Sequence, residues 1–301
     1  MSLRWRTGIG LTGVFHSSIH VREYIFLGMN FSISYSSMQI ESLKRPVVKN
    51  KILASLPPAD FACIGPYLRH VAFKKRAILQ DRQKPVEHVN FIESGIVSLR
   101  IMATGSVLEI AMVGYHGMVG VSVLLGAETS IHQSIVAIPG SALSIRADDL
   151  RRLMQERPLI REHLFRHVQV LLIHSAHIAL CGSRHQLEKR LASWLCFACD
   201  AIEGNVVPVT HDHLSMTLGV RRAGVTETLL RFEEEGIITK ARGMLRVRDR
   251  PLLNTRACNC YATIVRAYQA IEEQGSNSLD RPECYSSIRE FTTVAAQPTS
   301  S

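Results

Sequence analysis

The stretch VTHDHLSMTLGVRRAGVTETLLRFEEEGIITKARGMLRV, residues 209–247, decides the fold of the chain. Thr210 can cap a helix, and Asp212 in the first turn suits the positive end of the helix dipole. Gly219 ends that helix where a sharp turn requires positive φ. A second helix then carries an apolar stripe at Val225, Leu229 and Phe232. These spacings predict a helix-turn-helix.

The face of the second helix outside that stripe is polar. Its first two turns carry Arg221, Arg222, Thr226 and Glu227. The start of a recognition helix enters the major groove, where arginine can bind guanine bidentately and glutamate can accept from cytosine. Two arginines at a helix start oppose its dipole unless a phosphate or base edge compensates. The pattern favours DNA contact, and the alternative is a set of solvated surface charges.

A basic hairpin is predicted after the second helix. Residues 237–240 and 245–248 flank a turn, and the hairpin carries Lys240, Arg242, Arg246 and Arg248 with no acid among them. A basic hairpin in this position is typical of a wing that contacts the phosphate backbone. The predicted DNA-binding residues are Thr210, Arg221, Arg222, Thr226, Glu227, Lys240 and Arg242.

The composition of the chain agrees with a nucleic-acid partner. The 301 residues include 35 Lys and Arg against 26 Asp and Glu, a formal charge of +9. Basic charge favours phosphate, and a hydrophobic content of 46% is ordinary for a globular protein. Seven cysteines without a disulfide spacing indicate a reducing compartment. No run reaches the roughly eighteen uninterrupted apolar residues of a membrane span, so a cytoplasmic protein without membrane contact is expected.

The segment from residue 71 to residue 145 has the pattern of short strands. Turn signals at 93–95 and 139–140 separate β-rich runs over 88–92, 96–101, 107–113 and 134–138. Several short strands with regular turns predict a compact barrel or jelly roll. Residues 1–45 have no steady period and are rich in serine, which predicts a poorly ordered extension.

A long helix is predicted after Pro158. Apolar and small residues follow steps of four and three, at Leu164, Val168, Leu171, Ser175, Ile178 and Gly182. This is the spacing of a coiled-coil seam. The seam favours a homodimer, and packing within one domain is the alternative.

Residues 209–247 resemble the C-terminal winged helix of the Crp/Fnr superfamily of bacterial transcription regulators. The similarity extends upstream to QLEKRLASWLCFACD (186–200) and to LASLPPADF (53–61), and it spans about residues 48–268. The resemblance implies an α+β fold: an N-terminal cyclic-nucleotide-binding-like β-roll (jelly roll), a long dimerisation helix and a winged helix-turn-helix. The domains are then an extension (1–45), the β-roll sensor (46–157), the dimerisation helix (158–183), the winged helix (184–252), and a C-terminal helix and tail (253–301).

The chain departs from this family in its nucleotide cassette. In GMVGVSVLLGAETSIHQSIVAI (117–138), Gly120 matches the cassette glycine, but Val121 stands where a ribose-binding glutamate would be. Gln133 precedes Ser134 where nucleotide-binding members have arginine. Without that cation a cyclic phosphate loses its charge-assisted partner. The candidate pocket at Gly120, Val121, Gln133 and Ser134 is therefore not expected to bind cyclic AMP, and no cofactor is expected.

A second departure lies in the recognition helix. Ala223 replaces an acidic residue with which some members contact a base, so their operator does not carry over.

No metal site is expected from the sequence. Cys196 and Cys199 form a CxxC inside an apolar helical stretch, which favours buried structural thiols, and Cys258 and Cys260 lie further on. The histidine pairs at 163/167 and 174/177 share helix faces, and we interpret them as polar flanks of the seam rather than ligands.

These patterns predict a regulator rather than an enzyme: a homodimer that reads a palindromic site in double-stranded DNA, with RNA polymerase as a partner if it activates. One alternative is a ligand-gated regulator of the same fold, responsive to a cyclic nucleotide or another small molecule. A remote alternative is a cupin-like metalloenzyme with a DNA-binding tail. The strands offer that enzyme only His88, Glu109 and His132, with no paired motif.

Overall fold

The structure is a computed structural model that describes residues 48–103 and 106–278. The predicted extension over residues 1–45 and the end of the predicted tail lie outside these residues. The described chain begins with two short helices, a β-roll and the helix that closes it. These elements are α1 (Lys51–Ala54), α2 (Pro58–Ile64), a 3-10 turn (Gly65–Tyr67), β1 (Arg69–Phe73), β2 (Ile78–Gln80), β3 (His88–Ala103), β4 (Ser106–Val113), β5 (Met118–Val119), α3 (Val121–Leu124), β6 (Gln133–Arg146) and α4 (Ala147–Glu156).

The second half of the described chain is a long helix followed by a winged helix and two further helices. Its elements are α5 (Pro158–Arg184), α6 (Leu187–Ile202), β7 (Val206–Val207), α7 (His211–Leu218), α8 (Arg222–Glu234), β8 (Ile238–Ala241), β9 (Met244–Val247), α9 (Arg250–Arg256) and α10 (Asn259–Ser278). The predicted order of β-roll, long helix and helix-turn-helix is confirmed.

The β-roll is an antiparallel sheet in the order β1-β6-β3-β4, with β2 paired to β6 and β5 paired to β3. Its inner face carries fully buried apolar side chains such as Val89, Phe91 and Ile145. Helices α4 and α5 bury Leu150 and Leu164 in the same hydrophobic cluster. One core therefore joins the sheet to the first half of the long helix.

The two turn signals predicted inside the β-rich segment are bulges rather than turns. Strands β3 and β6 continue through them, with Ser94 opposite Ser141 and Ile96 opposite Ile138, and the register shifts between these pairs. Gly95 has φ +80°, and a Cβ on Gly140 would overlap the Ser94 carbonyl oxygen. The glycines thus bend two paired strands at one place, as bulges do, instead of ending them.

The predicted seam of α5 is wrong at its N-terminal half. Leu164, Val168 and Leu171 are buried in the β-roll core, so they are not available to a second helix. A different stripe is exposed, again in steps of four and three, at Phe165, Gln169, Leu172, Ala176 and Ala179. Periodicity does not tell which of two apolar stripes enters the core. Among the described residues, α5 is also the one helix long and apolar enough, by length and composition, to cross a membrane.

The histidines of α5 do not flank an exposed seam. His163, His167 and His174 are buried. His163 Nε2 lies 2.8 Å from the Ile52 carbonyl oxygen, and His174 Nδ1 lies 3.2 Å from the Tyr268 hydroxyl of α10. Burial lowers the pKa of His167 to about 3 and that of His174 to about 4. These histidines are therefore neutral packing residues at physiological pH.

The winged helix packs around an apolar cluster of its own, and this cluster also contains residues of the β-roll. Leu195 of α6, Leu214 of α7 and Phe232 of α8 are buried together with Met112 of β4 and Ile138 of β6. Strands β7, β9 and β8 form the small sheet of the wing in that order. The β-roll and the winged helix therefore share a hydrophobic contact.

Candidate nucleic-acid interface

The turn between α7 and α8 has the geometry that the sequence predicts. The Thr210 hydroxyl accepts a hydrogen bond from the His213 amide, 3.2 Å between nitrogen and oxygen. Gly219 has φ +63°. Its amide donates to Met216 O, and the Val220 amide donates to Ser215 O. This is a Schellman ending, and it sets the direction in which α8 leaves the turn.

Helix α8 presents a polar face at its N-terminus. Arg221 is the N-cap residue and Arg222 the first helical residue, and both are exposed, as is Glu227 one turn later. The Arg222 Nε lies 2.8 Å from Asp212 Oδ1 of α7. Both side chains are well exposed, so this pair orients the guanidinium and adds little stability.

Thr226 lies at the inner edge of that face. Its hydroxyl is 2.9 Å from His211 Nδ1 and it is half-buried. The polar residues of α8 thus share a face, with Arg221, Arg222 and Glu227 open to solvent and Thr226 tied to α7.

The wing is a hairpin of β8 and β9 joined by the two residues Arg242 and Gly243. Gly243 has φ +75°, which suits a two-residue hairpin turn. Arg242 is exposed at the tip, and Arg246 and Arg248 are exposed beyond it. The tip therefore presents positive charge to solvent.

Lys240 differs from the other basic residues of the wing. Its Nζ lies 2.7 Å from Glu233 Oε2 of α8, and its side chain is only 23% exposed. The hydrogen bond from Lys240 holds the pKa of Glu233 below its ordinary value. The sequence showed no acid within the hairpin, but α8 supplies one. Lys240 is thus paired with a carboxylate of the same chain.

The residues of the nucleotide cassette lie on two parts of the β-roll. Gly120, with φ +116°, precedes α3, and Val121 is buried at the start of that helix. Gln133 Nε2 donates to Asp81 Oδ1 at 3.1 Å, and the buried Ser134 hydroxyl donates to Gln80 at 3.2 Å. The Asp81 carboxylate therefore lies beside Gln133, the position at which the resemblance described above implies an arginine in nucleotide-binding members.

Two family models match the chain. A Crp-like helix-turn-helix domain matches residues 189–256, and a cyclic nucleotide-binding domain matches residues 70–157. Together they cover more than half of the 301 residues, in the order that Crp/Fnr regulators have. The chain belongs to the Crp/Fnr superfamily. It is therefore a Crp/Fnr-type DNA-binding transcription regulator.

Solved structures of Crp/Fnr regulators share the fold. A transcriptional regulator of the family from Eubacterium rectale is 19% identical with a TM-score of 0.55, covering 68% of this chain and 96% of that one. The c-di-GMP-responsive global regulator CLP of Xanthomonas campestris is 14% identical with a TM-score of 0.53, over 64% and 99%. A CRP/FNR-family regulator from Thermus thermophilus is 21% identical with a TM-score of 0.52, over 63% and 98%. No curated protein sequence matches the chain.

A buried polar network joins the β-roll to the winged helix of this Crp/Fnr chain. The Trp194 indole of α6 donates to Glu109 Oε1 of β4 at 3.0 Å, and the Ser98 hydroxyl donates to Glu109 Oε2. Arg100 Nε donates to Ser98 at 3.0 Å. Burial raises the pKa of the Glu109 carboxyl to about 7, although these hydrogen bonds and the Arg100 charge oppose the shift. The network is thus a titratable contact between two domains.

A cavity of about 410 Å³ lies at the same junction, lined by β4, the end of α5, α6 and α7. Glu109, His174 and Thr217 line it, and His174 Nε2 and Thr217 Oγ1 have no hydrogen-bond partner among the described residues. The cassette residues do not line this cavity.

From the sequence, Glu109 was predicted only as a candidate metal ligand in the remote cupin-like alternative. His88 is exposed at the start of β3, His132 is buried, and Glu109 binds Trp194. Among the described residues, the His/Cys/Asp/Glu cluster close enough to hold a metal contains none of these three. A glutamate in an otherwise apolar strand is the one sequence feature that points to this network. Its partner Trp194 lies 85 residues away, so the sequence does not reveal the contact.

The pKa of Glu109 predicts a pH dependence of stability. Because it is raised above the ordinary value of 4.5, protonation stabilises the folded state. This contribution is complete below about pH 4.5 and is lost as the pH rises through about 7. Glu109→Gln mimics the protonated acid. Between those pH values the wild type should lose about 2–4 kcal/mol of unfolding free energy relative to the variant, measured by urea denaturation.

Glu227→Gln, which removes an exposed carboxylate of α8, is the matched control for the loss of one negative charge. If the unfolding free energy of Glu109→Gln changed with pH in parallel with that of the wild type, Glu109 would not titrate between these pH values.

Proposed function

We propose that the protein is a homodimeric regulator that reads a palindromic DNA site and whose β-roll does not bind cyclic AMP. The observation that carries the proposal is the exposed polar face of α8, with Arg221, Arg222 and Glu227, next to a turn built for groove entry. These side chains suit base edges, and an exposed Arg242 at the wing tip suits phosphate.

The charges around α8 support this orientation. Asp212 pairs with Arg222 and Glu233 with Lys240, so intramolecular partners hold two of the predicted contact residues. Arg222 remains 66% exposed and can exchange Asp212 for a guanine edge. Lys240 is held more firmly, and we assign the phosphate contact of the wing to Arg242 rather than to Lys240.

The exposed stripe of α5 supports dimerisation. Leu172 is 66% exposed and Phe165 is 40% exposed, on a face that repeats every three or four residues. Exposed apolar side chains in a coiled-coil spacing favour a second helix of the same kind. A twofold dimer would then place two α8 helices on one side of the duplex, about one helical turn apart. Such a protein acts in the cytoplasm, with RNA polymerase as its partner if it activates.

The alternative of ligand gating has a specific observation in its favour. The cavity between β4, α5, α6 and α7 adjoins Gly219 and contains buried polar atoms without partners among the described residues. Pockets with an apolar lining and a few polar groups are typical of small-molecule sites. A ligand there would act on the winged helix directly, and not through the cassette.

Arg222 and Arg242 should differ in what they contribute to DNA binding. Arg222→Ala should cost about 1–3 kcal/mol on the cognate site and relax preference at one base pair of each half-site. Arg242→Ala should weaken cognate and scrambled DNA alike and lower the salt slope by about one unit for each phosphate that the side chain neutralises. Salt titrations of both variants on both DNAs measure these effects.

Lys240→Ala is a useful comparison because the same wing loses a lysine already paired with Glu233. It should change the salt slope less than Arg242→Ala does. If Arg222→Ala weakened every sequence equally while Arg242→Ala changed base preference, the orientation of the winged helix would be reversed.

Leu172→Asp should give monomers, because it places an unpaired carboxylate in the apolar stripe. Loss of the second half-site should weaken specific DNA binding by about 10²–10⁴-fold. Sedimentation and binding assays measure both. Ile131→Asp, at a residue that is 80% exposed on the β-roll, should stay dimeric. An intact Leu172→Asp dimer would contradict the assignment of the stripe.

Cyclic AMP should not bind to the β-roll. Val121 is buried where a ribose-binding glutamate would be, and Gln133 is held by the Asp81 carboxylate where a cation would be. Calorimetry should record only the heat of dilution. A micromolar dissociation constant would contradict this proposal and favour gating by a cyclic nucleotide.

A further inference from the structure

Three cysteines and a histidine meet where the long helix ends. Cys181 and His185 are one turn apart at the C-terminus of α5, and Cys258 and Cys260 stand at the junction of α9 and α10. Their four donor atoms all lie within 4.8 Å of one another. The sequence indicated no such set, because the two pairs are separated by more than 70 residues.

The distances within this cluster suit a single tetrahedral metal ion. Cys181 Sγ and Cys258 Sγ are 3.4 Å apart, and Cys260 Sγ and His185 Nδ1 are 3.8 Å apart. A tetrahedron with Zn–S bonds of about 2.3 Å has sulfur–sulfur edges of about 3.8 Å. The ligands of an iron–sulfur cluster surround several iron atoms and stand further apart. The donor set, three sulfurs and one imidazole, is one that zinc uses in structural sites.

The surroundings of the cluster support a metal rather than ordinary packing. The three cysteines are each at most 6% exposed and form a cluster separate from the two hydrophobic cores. The Ser193 hydroxyl of α6 lies 3.2 Å from Cys258 Sγ and accepts from the Cys258 amide at 3.0 Å. A hydroxyl in this position can hydrogen-bond to a coordinated thiolate and stabilise it.

We propose that Cys181, His185, Cys258 and Cys260 form a tetrahedral site for a thiophilic divalent cation, with Zn²⁺ as the favoured ion. Binding releases the thiol protons to solvent, and three thiolates and a neutral imidazole become the ligands. The thiolates are soft donors, which excludes magnesium and calcium as the preferred ions.

The site would connect the two ends of the winged helix to the helix that precedes it. His185 and Gln186 are the residues between α5 and α6, so Cys181 and His185 mark the start of the winged helix. Cys258 and Cys260 follow α9, after the wing. A bound ion would therefore hold the winged helix at both ends against the C-terminus of α5. Such an ion would bind in the same way whichever DNA the protein reads.

Metal content tests the proposal directly. The full-length chain is purified in the presence of a reductant and without added metal. Elemental mass spectrometry should then find about one zinc ion per chain. After removal of zinc, Co²⁺ should produce the intense visible absorption of tetrahedral cobalt with thiolate ligands. Removal of zinc should also lower the thermal midpoint, because an ion that binds only the folded state stabilises it.

Cys260→Ser and His185→Gln should each lose the zinc ion and the tetrahedral cobalt spectrum. His185 is half-buried, so its variant tests the site without disturbing a core. Cys196→Ser is the matched control, since Cys196 is a fully buried thiol outside the cluster, and it should keep both signals. A wild-type chain that holds no zinc and gives no cobalt–thiolate absorption would overturn the proposal. So would zinc that remains in both ligand variants, or a disulfide in place of the ion under reducing conditions.

Discussion

Burial of one face of α5 in the β-roll is the interaction on which the remaining structure depends. Ile160, Leu164 and Val168 lie in the same core as the sheet, so the rotation of the helix about its axis is fixed. The surroundings of the other faces of α5 follow from this rotation. His174 lies against Tyr268 of α10, Leu172 is left to solvent, and the last turn carries a thiol and an imidazole to the α9–α10 junction. The β-roll therefore fixes the orientation of a helix of 27 residues.

The winged helix is not an independent body attached by a flexible linker. Only two residues separate α5 from α6, and Met112 and Ile138 of the β-roll belong to the apolar cluster of the winged helix. Glu109 adds a polar contact to Trp194 across the same boundary. Because a buried carboxylate is costly when charged, the stability of this contact depends on the protonation of Glu109.

Local signals predicted the parts of the fold that local physics determines. Thr210 and Gly219 define the ends of α7 through caps that need no distant partner, and the structure places both as expected. Gly140 shows the limit of such signals. Glycine marks a turn and a bulge equally well, and only the opposing Ser94 decides between them. The prediction of the exposed stripe of α5 was wrong for a related reason. Leu171 and Leu172 are adjacent leucines, and packing against the sheet determines which one is buried.

The same distinction between local and distant determinants applies to the residues of the candidate site. The positions of Arg222 at the start of α8 and of Arg242 at the wing tip could be predicted from the sequence, because a recognition helix and a wing are short segments with fixed offsets. The contacts that link the domains could not, since Glu109 and Trp194 are 85 residues apart, Cys181 and Cys258 are 77 residues apart, and each pair meets only in the folded chain. In this chain the residues proposed to read DNA are local in sequence, whereas those that hold the reading domain in place are distant. A regulatory signal that acts on orientation must therefore act on the distant contacts, because the short junction of His185 and Gln186 leaves the winged helix little freedom to move while they persist.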